Sequence, residues 1–374
     1  MQPIPVSRPS IGEEELAAVR RVFASGWLGL GADVLEFEKA VGRFLGASHV
    51  VCTNTGTTAL HLALDSLGIG PGDEVLLPAF TYVASAQAVS ATGARPVFCD
   101  IGEADLGIDA GDAARRITRR TKAILPVHYR GIPCDLDRVQ ELAREHDLHV
   151  IEDAAHAFGS SYKGKKIGSF GEMACFSFDP VKNITCGEGG AVVFRDAGLL
   201  GLLQQKRILG IDKDTWSRYR NERSWFYDVV TRGYRYHMSN INAAIGLVQL
   251  GRFEAMNRRR IEVARRYDEA FGALDGVKIL ENRGYEGIGL FAYMIRVPSR
   301  RDGLMEYLTA HGVGSGIHYI PSHLFTFYRE EGLRLPVTEQ VYREILSLPL
   351  FPDITDEEVE QVIREVSSGL RELA

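Results

Sequence analysis

Cysteine is sparse in this chain and follows no pattern. Cys52, Cys99, Cys134, Cys175 and Cys186 form no CxxC pair, and five is an odd number. That excludes a complete disulfide frame and a cysteine zinc site, and no metal centre is expected. It suits reduced, buried thiols in a cytoplasmic protein. Long apolar runs are also missing: none approaches the ~18 residues that a membrane span needs. The opening Met-Gln-Pro-Ile-Pro-Val-Ser-Arg-Pro has no apolar stretch of the signal-peptide kind. Positive charge is not in excess either. The formal net charge is -6, so nucleic acid is not an expected partner. The basic cluster Arg258-Arg259-Arg260 sits in a helical pattern with Glu262 and Glu269 and reads as a solvated helix face. No repeat or low-complexity segment interrupts the chain.

What is present is an ordinary globular composition, 45% apolar and 25% charged. At 374 residues the chain exceeds what one core usually serves, so two domains are expected. After a proline-rich start, Ser10 can cap a helix with Glu13, Glu14 and Glu15 at its head and an apolar stripe of Leu16, Val19, Val22 and Phe23. A second helix covers about Ala32 to Phe44. Short apolar strands then alternate with helices: strands over His49–Thr53, Glu74–Leu77, Arg95–Asp100, Ile124–His128 and His149–Asp153, helices over Ala59–Leu67, Thr81–Thr92 and Leu136–His146. This alternation implies a mostly parallel sheet sandwiched by helices. Cys175–Phe178 and Gly190–Phe194 add strands with no long helix between them. From Leu199 to about Trp216 the pattern is helical, and Asn240 to Phe271 reads as one long linking helix. The fold class is therefore α/β, with a large domain over residues 1–250 and a smaller α+β domain over 251–374.

Ligands of parallel α/β sheets sit at the carboxyl ends of the strands, and three groups of polar residues fall there. Asn54-Thr55-Gly56-Thr57-Thr58 leaves a strand and enters a helix, a place suited to phosphate, although a plain threonine-capped turn reads the same way. Asp153 ends a buried strand. It is either a helix cap or the partner of a positive group, such as a protonated pyridine nitrogen. Lys182 lies between two strand-like runs, five residues after Ser177 and just before Gly187, Gly189 and Gly190. It is either an ion-paired structural lysine or a desolvated nucleophile for carbonyls. In this order and at strand ends, the three favour a pyridoxal phosphate (PLP) site with Lys182 as the Schiff-base lysine.

A wider set of stretches carries a family resemblance. It comprises Ser25-Gly26-Trp27-Leu28, Asn54 to Leu60, Pro78-Ala79-Phe80-Thr81-Tyr82-Val83-Ala84, Gly93 to Phe98, Glu152-Asp153-Ala154-Ala155-His156, Ser177-Phe178 with Lys182-Asn183, Gly187-Glu188-Gly189-Gly190, and Leu348-Pro349-Leu350-Phe351-Pro352. From about Pro5 to Val366 the chain resembles the DegT-type sugar aminotransferases. These are PLP enzymes of fold type I (aspartate-aminotransferase-like) that make amino sugars from nucleotide-linked keto sugars. The resemblance implies that Lys182 carries the cofactor and shuttles the proton, and that Asp153 pairs with the pyridine nitrogen. It implies that Ser177 and the Thr55-Gly56-Thr57 turn hold the phosphate and that Tyr82 stacks on the ring. His156 stands where many members have glutamine beside the ring. Arg235 stands where an asparagine usually reaches the phosphate of the neighbouring subunit, so a homodimer with shared sites is implied, and Arg235 serves either that phosphate or the sugar nucleotide. His318, Tyr319 and His323 match the family's sugar-binding segment, and Arg8 and Trp27 lie in an N-terminal segment that can reach the site.

The expected reaction is transamination from glutamate or glutamine to a nucleotide-linked keto sugar, with a 4-keto-6-deoxyhexose preferred. Members that remove a hydroxyl replace the lysine with histidine, and Lys182 argues against that chemistry here. A cyclitol or other cyclic ketone is the alternative acceptor. A non-catalytic PLP-binding regulator is the alternative of another class, and no DNA-binding helix pair or basic stripe supports it.

Overall fold

A computed structural model describes residues 3–212 and 227–373 of the chain. Helix α1 (Glu13–Ser25) begins at Gly12, whose N–H donates to the Glu15 carboxylate at 2.8 Å. Ser10 is not its cap. Its hydroxyl donates to Asp353 at 2.8 Å and its carbonyl accepts from Gln249 at 2.7 Å, so it ties the N-terminus to distant parts of the chain. The expected apolar stripe is also only partly buried. Leu16 and Phe23 are exposed, and the helix rests on the long helix through Ala18 and Val22 against Ala244. Small residues allow that close crossing, which turns the large ones outward. Helix α2 (Ala32–Leu45) buries Val34, Phe37, Val41 and Leu45 on one side, as its 3.6-residue spacing dictates.

The main sheet has seven strands: β1 (His49–Thr53), β2 (Glu74–Pro78), β3 (Arg95–Cys99), β4 (Thr121–Ile124), β5 (His149–Asp153), β8 (Met173–Ser177) and β9 (Gly190–Phe194); β6 (Ser161–Tyr162) and β7 (Lys165–Lys166) form a separate small hairpin. The order across the sheet is β1-β9-β8-β5-β4-β2-β3. All neighbours are parallel except where β9 runs antiparallel to β1 and β8. Successive side chains serve opposite faces. Ala174 and Phe176 of β8 enter one core with Phe37, Phe158 and Phe178, while Met173 and Cys175 enter the other with Leu62, Val75 and Ile151. Two buried faces explain why these strands read as continuous apolar runs. The β4 ladder is interrupted after Ile124, short of the His128 expected, because Pro126 has no N–H to give; pairing resumes beyond it, where Val127 bridges to Asp153 and His128 N donates to Asp153 O at 3.1 Å.

Helix α3 (Gly56–Ser66) follows β1 and α4 (Ala84–Thr92) follows β2, the latter starting three residues beyond the expected Thr81. Helix α5 (Ala110–Arg116), α6 (Leu136–His146) and α7 (Leu200–Lys206) complete the layers. The helical expectation from Leu199 holds as far as Lys206, and Trp216 lies outside the described residues.

The long helix Asn240–Phe271 passes from one core to the other. Phe253 and Met256 pack under the main sheet, while Val263, Tyr267 and Phe271 pack under a second, antiparallel sheet of β10 (Lys278–Ile279), β11 (Tyr293–Arg296) and β12 (Ile345–Leu348). Helices Arg301–Ala310 and Asp356–Glu372 cover that sheet. Arg260 corrects the reading of the basic cluster as a solvated face. It is buried and donates to the carbonyl of Asn183 at 3.2 Å. All five cysteines are free and buried.

One close approach in this frame is testable. A Cβ on Gly190, the first residue of β9, would land on the backbone of Thr55 and Gly56. Backbone cannot move aside as a side chain can, so Gly190→Ala should lower stability by about 2–3 kcal/mol, read as a fall in the urea midpoint against the parent chain.

Candidate active site

A cavity of about 390 Å³ opens at the carboxyl edge of the main sheet. It is walled by the ends of β1, β5 and β8 and by segments from the second sheet's side of the molecule. Three loops bring chemistry to it, and each is held by its own local bonding.

The first is the head of α3. Thr55 caps the helix: its hydroxyl accepts from Thr58 N at 3.1 Å, and the Thr58 hydroxyl bonds Thr55 N at 3.1 Å and Asn54 Oδ1 at 2.8 Å. The cap engages Thr55 and Thr58 and leaves the first-turn amides of Gly56 and Thr57 beside the cavity they line. Gly56 touches Ser177, since a Cβ there would sit 2.7 Å from the serine Cβ. Glycine is thus the residue that lets the Ser177 hydroxyl and the helix head share one pocket. Amides with no partner among the described residues, a helix dipole and a hydroxyl form an anion cradle.

The second is Asp153, buried at the end of β5. Its Oδ2 accepts from the Ser85 hydroxyl at 2.7 Å and its Oδ1 from Ala155 N at 3.1 Å. Burial pushes its carboxyl above the ordinary range, opposed first by those two hydrogen bonds and then by Lys182 and His128. No cation pairs with it among the described residues, so a buried carboxylate at the cavity wall lacks a counter-ion.

The third is Lys182. Burial pulls its ammonium down to about 8, against the weaker pull of Asp179 and Asp153. Its Nζ lies 4.5 Å from the centre of the Phe291 ring, and no carboxylate is within ion-pair distance of it among the described residues. The structural alternative, an ion-paired lysine, therefore does not describe it. Its neighbour Asn183 is tightly held, donating Nδ2 to Gly289 O at 3.0 Å and accepting Arg260 at its carbonyl.

Aromatic groups line the remaining space. His156 is buried, stacks on Phe291 at 4.1 Å between ring centres, and its Nε2 meets the Tyr319 hydroxyl at 3.0 Å. Burial, then Lys182 and His318, push its pKa well down, so the imidazole is neutral; its Nδ1 is buried without a partner among the described residues. Tyr82 is 56% exposed and lies 5.3 Å from Tyr319, which leaves one face of its ring open at the cavity. His318 also lines the cavity, and burial draws its pKa down to about 4.

The structure thus brings together Thr55, Gly56, Thr57, Tyr82, Asp153, His156, Ser177, Lys182, His318 and Tyr319. Four expected residues do not line this cavity. Arg8 sits over the Phe351 ring at 4.9 Å. His323 is buried 3.7 Å from the Glu339 carboxylate. Trp27 and Arg235 line a different depression, of about 300 Å³, together with His237. Sequence reasoning passed over Ser85, Asp179, Glu188 and Phe291, which do line the cavity. Ser85 carried one signal, being four residues after Thr81 at a helix head; Phe291 carried none.

The site fits PLP on its own chemistry. An anion cradle, an uncompensated buried carboxylate for a ring N–H and an unpaired amine of lowered basicity correspond to the cofactor's phosphate, pyridinium and aldehyde. Comparison with known proteins agrees. The pattern of the DegT/DnrJ/EryC1/StrS aminotransferase family matches residues 9–367. The spore coat polysaccharide biosynthesis protein SpsC of Bacillus subtilis is 39% identical over 375 residues, which are 97% of this chain and 96% of that protein. Among solved structures, the aminotransferase TlmJ from Streptoalloteichus hindustanus superposes with a TM-score of 0.93 at 39% identity over 100% of both chains. A candidate sugar aminotransferase from Streptococcus pneumoniae in its PLP form does so with a TM-score of 0.91 at 31% identity, again over 100% of both.

Proposed function

Because the chain belongs to the DegT/DnrJ/EryC1/StrS aminotransferase family, and is a sugar aminotransferase in that sense, we propose that it carries an amino group from glutamate (or glutamine) to a nucleotide-linked keto sugar, preferably a 4-keto-6-deoxyhexose, in amino-sugar biosynthesis. The observation that carries this reading is the pairing of Lys182, unpaired and of lowered basicity, with Asp153, buried and without a counter-ion, in one cavity.

When bound, PLP supplies an electron sink that makes the Cα proton of an amino acid removable. The residues of this chain do the rest. Gly56 and Thr57 amides and the Ser177 hydroxyl bind the phosphate group. Asp153 holds the proton on the ring nitrogen, which maintains the sink. Tyr82 and His156, which line the same cavity as Lys182, would pack against the ring. Lys182 Nζ would hold the aldehyde carbon and would take the proton from the donor Cα; burial draws its pKa down to about 8, so it changes protonation state readily near neutral pH. Donor and acceptor use the same groups in turn, which gives ping-pong kinetics.

In this reading residues 1–250 form the cofactor-binding domain, 251–374 the smaller one, and the enzyme works in the cytoplasm. It is a homodimer in which Arg235 and the Trp27 depression of each protomer complete the partner's site. Exposed Ile11, Leu16 and Phe23 supply apolar surface for that contact.

A cyclitol or other cyclic ketone is a second acceptor class, supported by the charge of the cavity. Asp153, Asp179 and Glu188 line it, and Lys182 is its one lining ammonium or guanidinium among the described residues. A single experiment tests both. PLP-loaded protein is mixed with L-glutamate and with nucleotide-linked 4-keto-6-deoxyhexoses or scyllo-inosose, while 2-oxoglutarate and aminated product are followed. Amination of the nucleotide sugar is the expected result. Amination of the inosose alone replaces it with the second reading, and no 2-oxoglutarate with any acceptor overturns both.

A further inference from the structure

The geometry points to Ser85 as a positioning residue that keeps Asp153 ionised and turned toward the cavity, with Thr81 fixing the direction of the hydroxyl chain. The inference rests on the PLP reading above. Ser85 is 0% exposed, in the first turn of α4, and Thr81 and Asp153 are 2% and 5% exposed. A serine hydroxyl has one proton. Two acceptors compete for it, Asp153 Oδ2 at 2.7 Å and the Tyr82 carbonyl at 3.3 Å, and the shorter, charged acceptor takes it. In the 2.9 Å contact between Thr81 Oγ1 and Ser85 Oγ, the serine must then accept and the threonine donate. The hydrogen bonds run in one direction, from Thr81 to Ser85 to Asp153.

That direction has a chemical result. Asp153 receives a donor on each oxygen, Ser85 on Oδ2 and Ala155 N–H on Oδ1. Each donor interacts more strongly with the charged carboxylate than with the neutral acid. The bonds therefore favour the anion at a place where burial disfavours it. They also fix the plane of the carboxylate, so its free lone pair keeps one bearing toward a ring N–H. Ser85 acts through Asp153, which makes its effect on the cofactor electrostatic.

The test uses apo protein titrated with PLP across a pH series, by visible absorbance, for the parent chain, Ser85→Ala and Thr81→Val. Circular dichroism and thermal melting establish that each is folded. The other groups that bear on Asp153 are Lys182 and His128, with the Tyr319 hydroxyl and the Cys175 thiol also adjacent. They are the same in every variant. Loss of the serine donor should weaken PLP binding by about 10- to 100-fold. It should also move the acid limb of the affinity profile to higher pH, since a carboxylate with fewer donors protonates earlier. Thr81→Val should shift both in the same direction by less, and it carries the test if Ser85→Ala does not fold. A folded Ser85→Ala with parental affinity and an unmoved acid limb overturns the inference, as does an unchanged profile in Thr81→Val when only that variant folds. A parent chain that takes up no PLP overturns the underlying reading instead, and the inference with it.

Discussion

Lys182→Ala is expected to abolish amino transfer while leaving the chain folded. The lysine makes no ion pair among the described residues, and its ammonium lies 4.5 Å from the centre of the Phe291 ring. Removing it breaks no network. General acid–base help of this kind contributes about 10²–10⁴-fold, and loss of the covalent anchor adds to that. Borohydride treatment in the presence of PLP should fix a pyridoxyl group on the parent chain, at the peptide that contains Lys182, and none on the variant. Labelling of the variant at another lysine, or transamination by it, would disprove the assignment. A linked effect concerns stability. The ammonium is held down at about 8, below the ordinary value of 10.5, so between these pH values the unfolded chain binds more protons than the folded one. Apo-protein stability therefore rises with pH across that window, and at neutral pH the buried charge costs up to about 3 kcal/mol. Lys182→Met, which keeps the packing volume, should melt higher than the parent at pH 7, and the two should converge near pH 10.

Asp153→Asn is the second large effect. An amide has the shape of the carboxylate but cannot hold a proton on the ring nitrogen. Removing one preorganised charge from a buried site costs on the order of 10²–10³-fold in kcat. The variant should still bind PLP, since the phosphate cradle at Gly56, Thr57 and Ser177 is untouched. Its apo form exchanges a buried charge for an amide NH2, which the Ser85 hydroxyl can accept only by turning its own proton to the Tyr82 carbonyl. Burial raises the folded-state pKa of Asp153, so stability drawn from this group is present at low pH and is lost as pH rises through that pKa. An Asp153→Asn protein with parental kcat would remove this residue from the chemistry.

The parts of the site that were legible in the sequence share one property. Thr55, Gly56, Thr57, Asp153 and Ser177 fall at strand ends, and the rule that ligands gather there needs only a local pattern. Lys182 was legible because the strands on either side of it leave it nowhere to go but the sheet edge. The parts that were not legible depend on contacts distant in sequence. Phe291 reaches Lys182 from the second sheet's side of the molecule, and nothing around it marks a site residue. Ser85 looks like any serine in a helix head until the end of β5 lies beside it. Among fold elements, the misread face of α1 has the same cause. Spacing says that a helix has an apolar side, but not which neighbour covers it, and here Ala244 selected Ala18 and Val22 over Leu16 and Phe23. Arg235 and Trp27 lie together but away from the cavity. The role that the resemblance implies for Arg235 involves a neighbouring subunit, so no spacing within one chain marks where it acts.

The bonding around Asn183 has one more consequence. The residue following the lysine is fastened by its side chain to Gly289, two residues before Phe291, and by its carbonyl to Arg260 on the long helix. The segment that carries the aromatic ring is therefore held against the lysine loop, and Ser160 fixes it further by accepting from Gly289 N at 2.9 Å. Displacing Phe291 from the ammonium would admit water, and the amine would become more basic. The lowered basicity of Lys182 thus depends on a wall supplied by a part of the chain that lies beyond the long helix in sequence.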